Sequence, residues 1–283
     1  MPDKKIYLPD ARTRLYGIIG DPVEHSLSPV MHNAAFRALG MNAVYLAFCV
    51  KSAEQAADSI RSLNIDGVSV TIPHKEALIP FLDEIDRFAS EIGAVNTVRN
   101  EAGRLIGTNT DWIGAVKALE EKTALGGKRA VVLGAGGSAR AVVYGLSERG
   151  ARVHVANRTI EKAERLAREF SCSFSGLDDE KALFGDILIN TTSVGMASGG
   201  SPGDEIPVEP DVTGRFSVVM DIVYSPLETR LLKEAGARGA RVIDGLRMLL
   251  HQALAQFQFW TGTKAPKEVM EEALYSAYKE RTG

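Results

Sequence analysis

The sequence predicts an α/β protein of two domains, the second built around a parallel β-sheet. Three observations predict it. Short apolar runs alternate with helical stretches along most of the chain. Five of those runs fall in the second part of the chain, at residues 130–133, 152–156, 186–190, 217–222 and 241–243, with helices between most of them. Strands joined by helical crossovers form a parallel sheet covered on both faces. The first of the five feeds straight into Gly134-Ala135-Gly136-Gly137-Ser138-Ala139, a glycine turn that opens a helix.

The elements follow in order. A short strand is read at 16–20 and a helix at 29–39, with Ser28 as its cap, Pro29 at the first helical position and Gly40 as its stop. Next come a strand at 43–50, a helix at 53–63, a strand at 67–72 ended by Pro73, and a helix at 83–92. Residues 97–99 and 104–107 form a hairpin around Asn100-Glu101-Ala102-Gly103. A helix starts near Trp112, where the domain boundary is placed. Residues 193–216, rich in Gly, Pro and Ser, read as a loop. Helices at 246–260 and 267–278 close the chain and are expected to return to the first domain. The expected domains are therefore 1–111 with 247–283, and 112–246.

Composition removes several function classes. The chain has 283 residues, 45% hydrophobic and 24% charged, with a formal charge of -3 and no basic run. Nucleic acid and anionic membrane are poor partners for such a surface, and a small molecule is the expected one. No stretch approaches the roughly 20 apolar residues of a membrane span. The polar N-terminus lacks an apolar signal core, and Cys49 and Cys172 form no CxxC pair, which together point to a reducing, cytoplasmic compartment. The five His residues are scattered, so no metal site is expected.

The glycine turn carries the first functional reading. Gly134 permits the tight turn, Gly136 lets the backbone approach a pyrophosphate, and Ala139 allows close helix–strand packing. The helix start supplies N–H donors to an anion. At the end of the next strand an NAD enzyme places a carboxylate for the ribose 2'-hydroxyl. Here Asn157-Arg158-Thr159 stands instead, with Lys162 one turn on. A carboxylate would repel a 2'-phosphate, whereas Arg holds one through forked, charge-assisted hydrogen bonds. The cofactor read from these residues is NADP(H). Thr159 has a structural alternative as the cap of the helix beginning near Ile160.

Four further groups combine chemistry with plain structural alternatives. Ser26 and Ser28 in His25-Ser26-Leu27-Ser28-Pro29 can grip a polyol or carboxylate, or serve a turn and a cap. Thr71 and Lys75 bracket a strand end in Thr71-Ile72-Pro73-His74-Lys75, where a surface Lys is the bland alternative and His74 is either packed or functional. Asn96 precedes Asn109-Thr110-Asp111, and Asp111 either caps the next helix or pairs with Lys75 as an acid/base couple. Desolvation would lower the Lys75 pKa and Asp111 would raise it, an opposition left open. Thr191, in Asn190-Thr191-Thr192, and Tyr224, in Asp221-Ile222-Val223-Tyr224, end strands of the second sheet. Gln252 lies on an otherwise apolar helix and faces either a ligand or solvent.

Taken together, these residues resemble the shikimate dehydrogenases of the shikimate/quinate dehydrogenase family. The resemblance spans about residues 16–262 and rests on ordered motifs: Ser26-Leu27-Ser28-Pro29, Val70-Thr71-Ile72-Pro73-His74-Lys75, Gly93-Ala94-Val95-Asn96-Thr97, Gly107-Thr108-Asn109-Thr110-Asp111, the glycine turn through Arg140, Asn157-Arg158-Thr159 and Asn190-Thr191-Thr192. It implies two α/β domains flanking a cleft, the second a Rossmann domain. It implies NADPH-dependent, reversible reduction of 3-dehydroshikimate to shikimate in aromatic amino-acid biosynthesis. By the same resemblance Lys75 and Asp111 are the catalytic pair, Ser26 and Ser28 bind the substrate carboxylate, Thr71, Asn96 and Gln252 hold ring hydroxyls, and Tyr224 helps enclose the ring. The cofactor set is Gly134 to Ala139 with Asn157, Arg158, Thr159, Lys162, Thr191 and Gly245, and the assembly is a monomer or homodimer. Trp112 stands where many relatives carry a smaller residue, and it touches no assigned role. An NAD-using quinate enzyme, an aminoshikimate dehydrogenase and a metabolite sensor on the same fold are the alternatives; Arg158 speaks against the first and an intact Lys75/Asp111 pair against the last.

Overall fold

The computed structural model describes residues 8–197 and 203–282. The chain forms two α/β units, one running to Thr110 and resuming at Ala253, the other comprising Asp111–Gln252.

In the first unit, β1 (Arg14–Gly20), β2 (Ala43–Cys49) and β3 (Gly67–Val70) alternate with α1 (Ser28–Ala38) and α2 (Ala53–Ser62). These crossovers allow β1 to pair in parallel with both β2 and β3. Then follow α3 (His74–Ala77), β4 (Glu84–Ile85), α4 (Arg87–Ile92), β5 (Thr97–Glu101) and β6 (Arg104–Thr108). The sheet order is β2-β1-β3-β5-β6-β4, with β5 antiparallel to both β3 and β6. The hairpin turns through Ala102 and Gly103, both at positive φ (53° and 94°), a geometry whose twist suits a two-residue connection.

Several boundaries differ from the sequence reading. Ser28 is the first residue of α1 rather than its cap; Leu27 precedes it, and the Ser26 hydroxyl accepts the Ser28 amide at 3.2 Å. The helix read from 83 begins at Arg87, because Asp86 caps it by accepting from the Ala89 amide at 2.8 Å. Asp83 is drawn instead to Arg61 (2.9 Å) and the Leu105 amide (2.7 Å), which leaves Glu84–Ile85 to pair with β6. The strand read to 72 stops at Val70, and residues 74–77 make a helical turn after Pro73.

The second unit runs through α5 (Asp111–Glu120), β7 (Arg129–Leu133), α6 (Gly137–Glu148), β8 (Arg152–Asn157), α7 (Ile160–Glu169), β9 (Ser173–Gly176), β10 (Ile187–Asn190), α8 (Pro210–Thr213), β11 (Val218–Asp221), α9 (Arg230–Ala237) and β12 (Arg241–Ile243). All its strands are parallel, in the order β12-β11-β10-β7-β8-β9. The chain winds from β7 outward to β9, then returns to β10 and winds the other way. That is the doubly wound Rossmann order, with its switch point between β7 and β10. Along β7, Ala130 and Val132 pack into one layer with Val116 and Val143, while Val131 and Leu133 pack into the opposite layer with Val212 and Leu231. Burial on both faces explains why the strand reads as a continuous apolar run. β9, absent from the sequence reading, is a serine-rich edge strand that pairs only with β8. α8 lies inside the segment read as a loop, and residues 198–202 of that segment lie outside the described residues.

The last two helices are α10 (Gly245–Thr261) and α11 (Lys267–Thr282). Residues 247–252, expected with the first domain, belong to the second unit. Local contacts explain this: Arg247 and His251 both bond Glu121, and Gly114 lies directly under Gln252. From Ala253 onward α10 packs in the first unit, where the Phe257 and Trp260 rings lie tilted against Phe36 and Tyr16. The Trp260 indole N–H donates to the Val98 carbonyl at 2.9 Å. Among the described residues no helix is long and apolar enough to cross a membrane.

Glu121 joins α5 to the start of α10, and burial raises its pKa while the bonds from Arg247 and His251 overcome that and hold it near about 2. A depressed folded-state pKa contributes stability above the unfolded value that is lost as pH falls through the folded one. Stability against urea should therefore fall as pH drops from 4.5 toward about 2, and Glu121→Gln should show a flatter acid limb. Parallel limbs for the two proteins would remove Glu121 from the acid response.

Candidate active site

Strand direction decides which side chains meet at the edge of the first sheet. β1 and β3 run the same way, so the segments after them, carrying Ser26, Ser28, Thr71 and Lys75, leave from one edge. β5 runs against β3, with Thr97 opposite Ser69, so its starting end lies at that same edge. This brings in Asn96. β6 runs against β5 and places Thr108 opposite Thr97, so Asn109 and Thr110 emerge there too. The topology thus collects five of the sequence-predicted residues, and Asp111 follows Thr110 in the chain as the first residue of the second unit.

Asn96 is the most constrained of them. It is buried, with 1% of its surface exposed. Its backbone carbonyl accepts from the Val70 amide (2.7 Å) and its amide donates to the Thr108 carbonyl (3.1 Å). Its side-chain oxygen accepts from the Thr110 amide and from the Thr97 hydroxyl, each at 2.7 Å. A backbone N–H can only donate, so the carboxamide oxygen must face the Thr110 amide, and the side-chain nitrogen donates to the Thr110 hydroxyl at 3.0 Å. Nearby, the Val95 amide donates to the Lys75 carbonyl at 2.7 Å and ties α3 to this edge. His74 is buried, its Nε2 donating to the Val50 carbonyl at 2.5 Å, which makes it a packing residue.

The second sheet presents its carboxyl ends in the same fashion. Gly134 adopts φ 112°, and an added Cβ would lie 2.6 Å from the Thr191 hydroxyl. That hydroxyl donates to the Leu133 carbonyl at 2.6 Å, and the Gly134 amide donates to the Ala156 carbonyl at 2.9 Å. Thr191 therefore latches the glycine turn from the neighbouring strand. Gly136 is the N-cap of α6, no side chain caps that helix, and nothing lies within 4 Å of where a Cβ would stand. The first-turn amides of Gly137, Ser138 and Ala139 sit at the positive end of a 12-residue helix, an anion-binding arrangement.

Beside this turn is a pocket of about 180 Å³ lined by Ala135, Gly136, Asn157, Arg158, Thr159 and Lys162. Thr159 stands at the N-cap of α7 as its structural alternative expected, but its hydroxyl makes no cap bond to the helix. Asn157 turns inward and donates to the Thr159 carbonyl at 2.9 Å, shaping the turn. Arg158 and Lys162 are exposed and, among the described residues, form no ion pair. Two uncommitted cations against a helix start and an open glycine fit a dinucleotide carrying an extra phosphate on its ribose. Gly245 fits close packing: a Cβ there would collide with the Ile222 carbonyl.

Asp221 organises the remaining strand ends of this unit. Its carboxylate accepts from Asn190 (2.9 Å), Thr229 (2.7 Å) and the Val223 amide (3.0 Å). Asn190 also donates to the Val194 carbonyl and accepts from Thr192. One buried carboxylate thereby positions the loops that carry Thr191 and Tyr224. Gln252 is buried on α10 and donates to the Leu249 carbonyl at 2.9 Å. Both cysteines are unbridged, and among the described residues no cluster of His, Cys, Asp or Glu suits a metal ion.

Comparison with known proteins agrees with this geometry along the chain. Residues 18–98 match the shikimate dehydrogenase substrate binding domain, residues 116–196 the shikimate / quinate 5-dehydrogenase model, and residues 245–275 the shikimate 5'-dehydrogenase C-terminal domain. The shikimate dehydrogenase (NADP(+)) of Thermococcus kodakarensis is 50% identical over 277 residues, covering 96% of this chain and 99% of the relative. This chain belongs to the shikimate dehydrogenase family. A crystal structure of a shikimate dehydrogenase in complex with NADP+ superposes with a TM-score of 0.89 at 44% identity, covering 96% of this chain and 98% of that one. The enzyme from Thermus thermophilus, in complex with NADP(H) and shikimate, superposes with a TM-score of 0.86 at 39% identity, covering 93% of this chain and 99% of that one.

Burial pushes the Asp221 pKa up to about 6, against hydrogen bonds from Thr229, Val223 and Asn190 that pull it down. A raised folded-state pKa means its contribution to stability is full below the ordinary value of 3.8 and is lost as pH rises through about 6. Asp221→Asn removes this titration. The thermal midpoint of the unaltered protein should fall relative to that of the variant across this window; a constant difference between them would place the Asp221 pKa at its ordinary value.

Proposed function

We propose that this chain catalyses the reversible, NADP-dependent interconversion of 3-dehydroshikimate and shikimate, in a reducing, cytoplasmic compartment and as a monomer or homodimer. The observation that carries the reading is the convergence of Ser26, Ser28, Thr71, Lys75 and Asn96 on one sheet edge of the first unit. The Arg158/Lys162 pocket of the second unit supports the choice of NADP over NAD.

In this reading the hydroxyls of Ser26 and Ser28 hold the substrate carboxylate, and Thr71, Asn96 and Gln252 hold ring hydroxyls. Tyr224 closes over the ring. Arg158 and Lys162 hold the ribose phosphate, while the amides of Gly137 to Ala139 face the pyrophosphate. Bound NADPH supplies hydride to the C3 carbonyl. Lys75, as an ammonium, neutralises the charge growing on the carbonyl oxygen and gives it a proton. Asp111 keeps Lys75 aimed and balances its charge. In the oxidising direction Lys75 takes the hydroxyl proton. Fixed donors such as the Asn96 carboxamide hold the ring without reorganising, and positioning of this kind supplies a large part of enzymatic acceleration.

Two substitutions test the reading. Lys75→Ala should lower kcat by roughly 100- to 10,000-fold with little change in the KM for shikimate. Near-normal turnover would take Lys75 out of the reaction. Arg158→Ala should raise the KM for NADP by about tenfold and leave kcat largely intact. If NADP saturation does not move, the 2'-phosphate is held elsewhere. Absorbance of reduced nicotinamide, with shikimate and quinate each tried against NADP and NAD, reads both variants and separates this enzyme from a quinate-oxidising relative.

A further inference from the structure

Gln256 is buried on α10, one helical turn beyond Gln252, with 1% of its surface exposed. Every polar atom of its carboxamide is engaged. Nε2 donates to the Asn96 carbonyl and to the Thr97 hydroxyl, each at 3.0 Å, and Oε1 accepts from the Ser69 hydroxyl at 2.8 Å. These three partners sit on β3 and at the start of β5, the paired strands from which Thr71 and Asn96 project.

The bonds continue beyond Gln256 in both directions. The Thr97 hydroxyl accepts from Gln256 and donates its own proton to the Asn96 side-chain oxygen at 2.7 Å. The Ser69 hydroxyl donates to Gln256 and accepts from the Tyr45 phenol at 2.6 Å. A single carboxamide thus stands at the junction of two relays, one ending on the Asn96 side chain and the other on Tyr45. Around them the side chains are out of solvent: Tyr45 is fully buried and stacks on the His32 ring at 4.5 Å. Buried together, the hydroxyls depend on one another for orientation.

We infer that Gln256 is a positioning residue for substrate binding, which orients Asn96 through Thr97. The inference rests on the reading of Asn96 as a substrate contact. Gln256 itself touches no reacting atom. Its effect is expected on the KM for shikimate, whereas kcat follows Lys75 and the KM for NADP follows the second unit.

The test compares Gln256→Met, Gln256→Glu, Thr97→Val and Asn96→Ala in steady-state oxidation of shikimate, with thermal midpoints measured alongside. Gln256→Met keeps the volume and removes both relays; its KM for shikimate should rise about tenfold with the KM for NADP unchanged. Thr97→Val cuts only the Asn96 relay and should raise the same constant by less. Gln256→Glu supplies an acceptor and one donor when protonated and no donor when ionised. Its KM for shikimate, relative to the unaltered protein, should therefore fall as pH is lowered, a rescue that a merely structural residue would not show. Thr97→Val still reads the Asn96 relay if Gln256→Met does not fold. Asn96→Ala separates the two levels of the argument. If it raises the KM for shikimate while the Gln256 and Thr97 variants leave that constant alone, the positioning role is overturned and the substrate reading stands. If Asn96→Ala has no effect, the substrate reading fails and the inference fails with it.

Discussion

The antiparallel seating of β5 against β3 is the constraint on which the first unit depends. Three register pairs, from Gly67 with Arg99 to Ser69 with Thr97, reverse the chain direction in the middle of the sheet. In an all-parallel sheet the start of β5 would lie at the opposite edge from Thr71 and Lys75. Reversal places Asn96 beside Val70, and the β6 return then delivers Thr110 to the same edge. The Asn96 carbonyl accepts from both the Val70 amide and Gln256, so the strand pairing and the helix behind it converge on one residue. Each net hydrogen bond is worth only about 1 kcal/mol, but a buried partner left unsatisfied costs about 1–3 kcal/mol, so the arrangement behaves as a unit.

The second unit solves the matching problem with parallel strands alone. Carboxyl ends of β7, β8, β10, β11 and β12 share an edge because all these strands run the same way. Close approach then becomes the limiting factor, and small residues answer it. Gly134 leaves room for the Thr191 latch, and Gly245 leaves room for the Ile222 carbonyl. Asp221 accepts from three donors at once, yet the desolvation of its carboxylate outweighs them and its pKa rises. The cations that face outward, Arg158 on the turn after β8 and Lys162 near the start of α7, are exposed, so solvation costs them little.

Much of this was legible from residue types and spacing. Strands buried on both faces read as continuous apolar runs, and the glycine turn with Asn157-Arg158-Thr159 announced a phosphate-bearing cofactor before any coordinates. What escaped were elements whose reasons are not local. β4 exists because Arg61 and Leu105 hold Asp83, and the helix expected from Asp83 starts at Arg87, behind the Asp86 cap. β9 is polar and needs only a neighbour on one side. The role of Ser28 also changed: it opens α1, and the neighbouring Ser26 hydroxyl takes its amide. Gln256 lies on a helix that reads as core. Its spacing of four from Gln252 was the available signal, since two glutamines on one face of a buried helix both need partners.

The sequence by itself determined the class of fold, the parallel sheet, the glycine turn and the cationic turn after β8, because each is written in contiguous residues whose backbone and charge requirements are local. Only the tertiary structure decided which side chains share an edge. Ser28, Ser69, Asn96 and Gln256 are scattered over more than 200 positions, and no periodicity relates them. Their relation comes from strand direction and helix packing, and from the rule that a polar group taken out of water must find a partner wherever the fold supplies one.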